Sequence, residues 1–182
     1  MTKLICIDAG HGCDPQTRIG DPGATNGGLW ESAATLATAK ILSRELKAAG
    51  FEVVMTRENN DFVTLKERCD ISNRAGADLF VSIHCNSSEN REAQGIETWR
   101  HRSTSQKAIA ENVQRRMIEA TGARDRGVKD GNFYVLRHTK AAAILCEIGF
   151  ISHTEESVRL FKTYYQTRIA KAIAQGISDS LK

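Results

Sequence analysis

Three short apolar runs in this chain each finish at an ionisable residue: LICID leads into His11, LFVSI ends at His84, and AAILC ends at Glu147. Four or more consecutive apolar residues bounded by turn signals read as a core β-strand. Closing a buried strand on an unpaired ionisable group costs several kcal/mol, so packing explains the recurrence poorly. Ligands in open α/β sheets bind beyond the carboxyl ends of the strands. The pattern therefore favours a layered α/β fold with these side chains gathered at one edge of the sheet.

The segments between these runs agree. Helical spacing from Trp30 to Ala49 is closed by Gly50, and Glu52 to Thr56 reads as a strand. Thr64 and Glu67 form a capping box opening a helix that Gly76 closes, and Gly95 to Arg100 alternates like an edge or half-covered strand. Ser103 and Gln106 are expected to cap a long helix ending near Gly122, followed by a polar loop from Arg124 to Asn132. Phe133 to Leu136 reads as a strand separated by a turn from Ala142 to Glu147. Ile169, Ala172, Ile173, Gly176, Ile177 and Leu181 then form one helical stripe. No repeat or linker interrupts this order, so residues 1–182 are expected to form one α/β domain with a largely parallel sheet covered on both faces.

Composition excludes several alternatives. Charged residues make up 26% and the net charge is +3 without Lys/Arg blocks, which argues against a nucleic-acid partner. No segment reaches membrane-spanning length. The five cysteines lack the spacing of a zinc ribbon or disulfide framework, as suits a chain folding where thiols stay reduced.

Glu31 opens the first helix, where a carboxylate is commonly present for the helix dipole alone. As a ligand it would complete, with His11 and His84, a set of two imidazoles and one carboxylate that leaves a bound zinc open to water. Such an ion acidifies water and polarises a carbonyl, the chemistry that amide hydrolysis needs. Glu147 would then serve as general base. A strand-end carboxylate can also simply bond to loop amides. Cys13 and Cys85 flank the imidazoles and thiolates bind zinc, but strand alternation points Cys85 away from the His84 face. Cys13, in a loop, stays open as a ligand. His101 and His153 suit surface or structural roles, and His138 stays within reach of the site rim.

IDAGHG followed by DPGATNGGLWE, the block TRENNDFVTLKERCDISNRAGADLFVSIHCN, GIETW, and RGVKDGNFYVLRHTKAAAILCEIGFISHTEE together resemble the zinc-dependent N-acetylmuramoyl-L-alanine amidases of the type 3 group. The resemblance runs over nearly the whole chain. It implies zinc as cofactor, His11, Glu31 and His84 as its ligands, Glu147 as the catalytic residue, and a twisted sheet of about six strands flanked by helices. It also implies a shallow groove for the glycan strand and stem peptide of peptidoglycan, shaped in part by Asn86, with Arg57 and Arg68 tying helix to loop. Cys85, Cys13 and His153 depart from residues usual in the family, and none of these changes removes a catalytic group.

The expected reaction is cleavage of the amide between N-acetylmuramic acid and L-alanine. Two alternatives stay open: a non-catalytic zinc-containing module that binds peptidoglycan or regulates, and a zinc hydrolase acting on another amide. MTKLICIDAGHG does not read as a secretory signal. The chain as given would thus be cytoplasmic as synthesised and act on the wall after release, as a phage or prophage endolysin or an autolysin does. A chain trimmed from a longer one would be periplasmic or secreted. Oligomeric state is left open.

Overall fold

Apolar alternation in the strands is resolved into two distinct cores, one on each face of a central sheet. The structure is a computed structural model and describes residues 2–102 and 104–181. In chain order the elements are β1 (Leu4–Ala9), β2 (Gly12–Cys13), β3 (Gly20–Asp21), β4 (Thr25–Asn26), β5 (Leu29–Trp30), α1 (Glu31–Ala48), β6 (Glu52–Met55) and α2 (Leu65–Ala75). They continue with β7 (Leu79–Asn86), β8 (Ile96–Arg100), α3 (Thr104–Thr121), β9 (Asp125–Asp130), α4 (Tyr134–His138), β10 (Ala142–Phe150), α5 (Thr154–Leu160) and α6 (Thr163–Leu181). Six strands form one sheet in the order β6-β1-β7-β10-β8-β9, parallel throughout except where β8 runs antiparallel to β10.

One face carries Ile5, Ile7, Ala9, Val81, Ile83, Ile144 and Cys146 against α1, α3 and α6. The other carries Cys6, Phe80, Ala143 and Leu145, packed with Cys69 of α2 and Val135 and Leu136 of α4. Because side chains alternate along a strand, Asp8, Ser82, His84 and Glu147 share this second face at the carboxyl ends of β1, β7 and β10. Cys85 is buried in the first core, away from His84, as alternation requires.

The α2 capping box is complete, with Thr64 accepting from the Glu67 amide, and Gly76 ends that helix at φ +68°. The stripe on α6 is buried from Ile169 to Ile177. At Gly176 an added Cβ would lie 2.7 Å from Val113 Cα, so glycine is what lets α6 approach α3. Gly176→Ala is expected to cost about 1–3 kcal/mol through overpacking, read as a lower urea midpoint with unchanged slope.

Two readings of the sequence are corrected. Arg124 to Asn132 was expected as loop, yet it contains β9, an edge strand that pairs only with β8 and is at most half-buried, which is why its residues are polar. Phe133 to Leu136 was expected as a strand but leads into the single turn of α4, closed by the Arg137 amide donating to the Phe133 carbonyl. A short apolar run suits either state, and β9 already occupies the sheet position beside β8. The expected cap at Ser103 lies outside the described residues.

Candidate metal centre

The chain leaves β1 through Ala9, Gly10 and His11, and two buried arginines hold this turn. Arg68 of α2 donates to Asp8 Oδ1 (2.6 Å), to the Ala9 carbonyl (2.7 Å) and to the His11 carbonyl (2.6 Å). Arg57 donates to the carbonyls of Ala9 (2.9 Å), Gly10 (2.9 Å) and Ser32 (2.8 Å), joining the turn to the start of α1. His11 is thereby kept at φ +59°, a left-handed conformation uncommon for a side-chain-bearing residue. Asp8 also accepts from Thr56 (2.7 Å) and Ser82 (2.7 Å).

Burial alone would raise the Asp8 pKa; the Arg68 guanidinium and the Ser82 hydroxyl outweigh it and hold the carboxyl below its ordinary 3.8. A depressed carboxylate contributes stability that is whole above its ordinary range and is lost as pH falls through the lower folded value. Arg68→Ala leaves Asp8 buried and unpaired, with an expected loss of about 3–5 kcal/mol in urea unfolding at neutral pH. The difference from the wild type should shrink once both proteins are protonated at Asp8.

Beyond the turn, β2 pairs with β3 and β4 with β5 as two small hairpins. They bring Asp21 beside His11 and deliver the chain to Glu31 at the first turn of α1. No side chain caps that helix. Glu31 instead faces inward: Oε2 accepts from the Ala24 amide (2.9 Å), and Oε1 accepts from the Cys85 amide (2.9 Å) and His84 Nδ1 (2.9 Å). His11 Nε2 lies 3.2 Å from Glu31 Oε2, while Asp21 Oδ2 accepts from His11 Nδ1 at 2.7 Å. One ligand atom from each of His11, Glu31 and His84 lies within 4.8 Å of the others.

This donor set fits a metal ion. Two imidazoles and one carboxylate are a set zinc accepts. Asp21 engages the far nitrogen of His11 as an outer carboxylate orients a metal-binding imidazole. The His11 and His84 side chains are 23% and 20% exposed, so the cluster faces solvent on one side. Glycines shape its back: a Cβ at Gly10 would sit 2.4 Å from the His84 ring, and one at Gly23 would sit 2.6 Å from Glu31 Oε2.

Burial would lower the His11 pKa, but Glu31 and Asp21 raise it to about 9. His84 is likewise raised, by Glu31 and then Glu147 against the effect of burial. Burial would raise Glu31, yet the two imidazoles hold it far below the usual carboxylate range. Glu147 behaves oppositely. Burial pushes it up to about 7, with Glu31 and Glu97 adding to the rise and His84 opposing it. Its Oε2 is buried and has no hydrogen-bond partner.

Glu147 is the register partner of His84 on one side and of Glu97 on the other. A cavity of about 410 Å³ joins His11, His84 and Glu147 to an apolar wall that includes Phe62, Leu65 and Phe133. These three aromatic and aliphatic side chains are exposed.

The four residues singled out in the sequence, His11, Glu31, His84 and Glu147, thus come together. Cys13 does not join the metal-capable group; its thiol is directed to the Asp14 carbonyl. His138 stacks on Tyr134 and bonds to the Tyr134 carbonyl, outside the cavity lining. Asn86 donates to Glu97 Oε1 (2.8 Å) and also lies outside that lining. His153 is structural, its Nδ1 accepting from the Glu156 amide at the start of α5. Asp8, Asp21 and Glu97 were not singled out in the sequence. Of these, only Asp8 left a signal, as the one charged residue in an otherwise apolar strand.

A family profile described as N-acetylmuramoyl-L-alanine amidase matches residues 5–179. The chain belongs to this amidase family. LytC of Bacillus subtilis, an N-acetylmuramoyl-L-alanine amidase, is 35% identical over 177 residues, covering 96% of this chain and 34% of LytC. The endolysin of Bacillus phage SPP1 is 34% identical over 191 residues, covering 100% of this chain and 67% of the endolysin. The chain therefore spans about a third of LytC and two thirds of the phage protein. Among solved structures, the catalytic domain of the amidase CwlV from Bacillus (Paenibacillus) polymyxa var. colistinus superposes with a TM-score of 0.91 and 38% identity, covering 99% of this chain and 98% of that domain. The six-stranded, mostly parallel sheet is thus the amidase fold, and no helix among the described residues is long and apolar enough to cross a membrane.

Proposed function

We propose that residues 1–182 act as one catalytic domain that hydrolyses the amide between N-acetylmuramic acid and L-alanine in peptidoglycan, with zinc held by His11, Glu31 and His84. The observation that carries this reading is the convergence of those three ligand atoms within 4.8 Å, with His11 and His84 opening into one cavity with Glu147, whose buried Oε2 has no hydrogen-bond partner. Bound zinc supplies Lewis acidity, which polarises the amide carbonyl and brings the ionisation of water toward neutral pH.

The protein groups divide the remaining work. Asp21 keeps the proton of His11 on Nδ1, so that Nε2 is the nitrogen offered to the metal. Glu147, whose carboxyl burial pushes above its ordinary range, is suited both to take a proton from the attacking water and to return it to the leaving nitrogen. The wall formed by Phe62, Leu65 and Phe133 excludes water from one side of the cavity and receives uncharged parts of the substrate. Asn86, half-exposed and anchored on Glu97, is the substrate contact two residues beyond His84 on β7. We read the cell wall as its place of action, a reading supported by an N-acetylmuramoyl-L-alanine amidase and a phage endolysin among its relatives.

Incubation of the zinc-loaded protein with purified peptidoglycan tests this. New N-terminal alanine is the expected product. Release of reducing sugar ends instead would identify a glycosidase, and wall binding without any cleavage would identify a binding module.

A further inference from the structure

Glu147 has no side-chain anchor at its buried Oε2, so the aim of its carboxylate depends on the backbone of β10. That backbone is irregular at this point. Pairing with β7 runs in register from Ala142 opposite Leu79 to Glu147 opposite His84, then slips so that Phe150 faces Asn86. Gly149 within the slip has φ +146°. Bulges beside active sites redirect a neighbouring side chain.

Two buried side chains hold this bulge from outside the cavity. Glu156 of α5, 4% exposed, accepts from the Phe150 amide on Oε2 (2.7 Å) and from the Gly95 amide on Oε1 (3.0 Å). Gly95 immediately precedes β8, so one carboxylate clamps the strand bearing Glu147 to the strand bearing Glu97. Tyr165 of α6, also buried, donates its hydroxyl to the carbonyl of Ile148, the residue after Glu147 (2.8 Å).

We infer that Glu156 and Tyr165 are positioning residues for Glu147, fixing the β10 bulge so that its carboxylate faces the His11 and His84 pair. The inference rests on the proposed role of Glu147. Both residues are buried and neither lines the cavity, so their effect reaches Glu147 through the β10 backbone.

Tyr165→Phe removes only the hydroxyl, and Glu156→Gln keeps the shape while turning an amide toward a backbone N–H. Each is assayed as zinc-loaded protein for kcat, KM and zinc stoichiometry, alone and combined with Glu147→Gln. Expected is a kcat loss of about 10²-fold for Glu156→Gln, as for small misplacement of a catalytic group. For Tyr165→Phe the loss should be about 5-fold, the equivalent of one hydrogen bond. KM and zinc content should stay at wild-type values, and neither change should lower the residual rate of Glu147→Gln further. Unchanged kcat in Tyr165→Phe, or an undiminished loss in the Glu147→Gln background, would overturn the inference; Tyr165→Phe decides alone if Glu156→Gln does not fold. A wild-type protein that leaves the amide intact sinks the inference together with the reading beneath it, a different outcome from active wild type with indifferent variants.

Discussion

Glu147→Gln is expected to lower kcat by about 10²- to 10⁴-fold while zinc stoichiometry stays at the wild-type level. The glutamine preserves the volume at the end of the β10 run but cannot accept and return a proton. In the wild type the carboxylate must be ionised to act as base, so the rate should fall as pH drops through its pKa in the zinc-loaded protein, which the ion's charge holds below the value of about 7 that burial gives without metal. The same group sets a stability difference of the opposite sense. A carboxyl raised from 4.5 to about 7 by burial costs the metal-free protein on the order of 3 kcal/mol once it is ionised in both folded and unfolded states. This cost is absent below the unfolded pKa and grows as pH rises to about 7. Metal-free Glu147→Gln should therefore be the more stable protein at about pH 8, and lose that advantage at about pH 4. Urea unfolding at the two pH values, beside steady-state kinetics, checks both halves.

His84→Ala is expected to remove zinc binding and with it about 10³-fold or more of the activity, the equivalent of several kcal/mol of transition-state stabilisation. The substitution removes one of three ligand atoms and leaves Glu31, 3% exposed, with a single imidazole partner. Zinc that binds only the folded wild type stabilises it by about 4 kcal/mol when free metal is a thousandfold above Kd. His84→Ala should show none of this metal-dependent shift. Thermal melts with and without added zinc, together with metal analysis, read the effect; a variant that still gains stability from zinc and still cuts would remove His84 from the metal site.

The sequence showed the ends of β1, β7 and β10 clearly because buried strands are apolar and each of these closes on a group that packing does not call for. Glu31 was harder to place. At the first turn of α1 its charge suits the helix dipole, and only the folded chain shows it turned toward His84 and the Cys85 amide. Asp21 could not have been found by periodicity, since two-residue strands carry no pattern and its contact with His11 depends on how the β2–β3 hairpin closes. Glu97 looked like an ordinary polar position of a half-covered strand. Its burial follows from β9 pairing alongside and supplying Arg126 and Lys129 as partners. The loop assigned to residues 124–132 hid this, because an edge strand half-open to water needs no apolar alternation. The turn of α4 was similarly indistinct: Val135 and Leu136 are buried against β10 and α2, and four apolar residues do not separate a strand from one helical turn.

Everything in the proposed chemistry depends on a divalent ion sitting among His11, Glu31 and His84 in front of Glu147. Anomalous diffraction at the zinc edge from crystals of the purified protein, with elemental analysis of the same sample, tests it most directly. One zinc per chain is expected, ligated by those three side chains and open toward the Glu147 carboxylate. A fully active protein without metal, or an ion held by other residues while these three stay unligated, would contradict it.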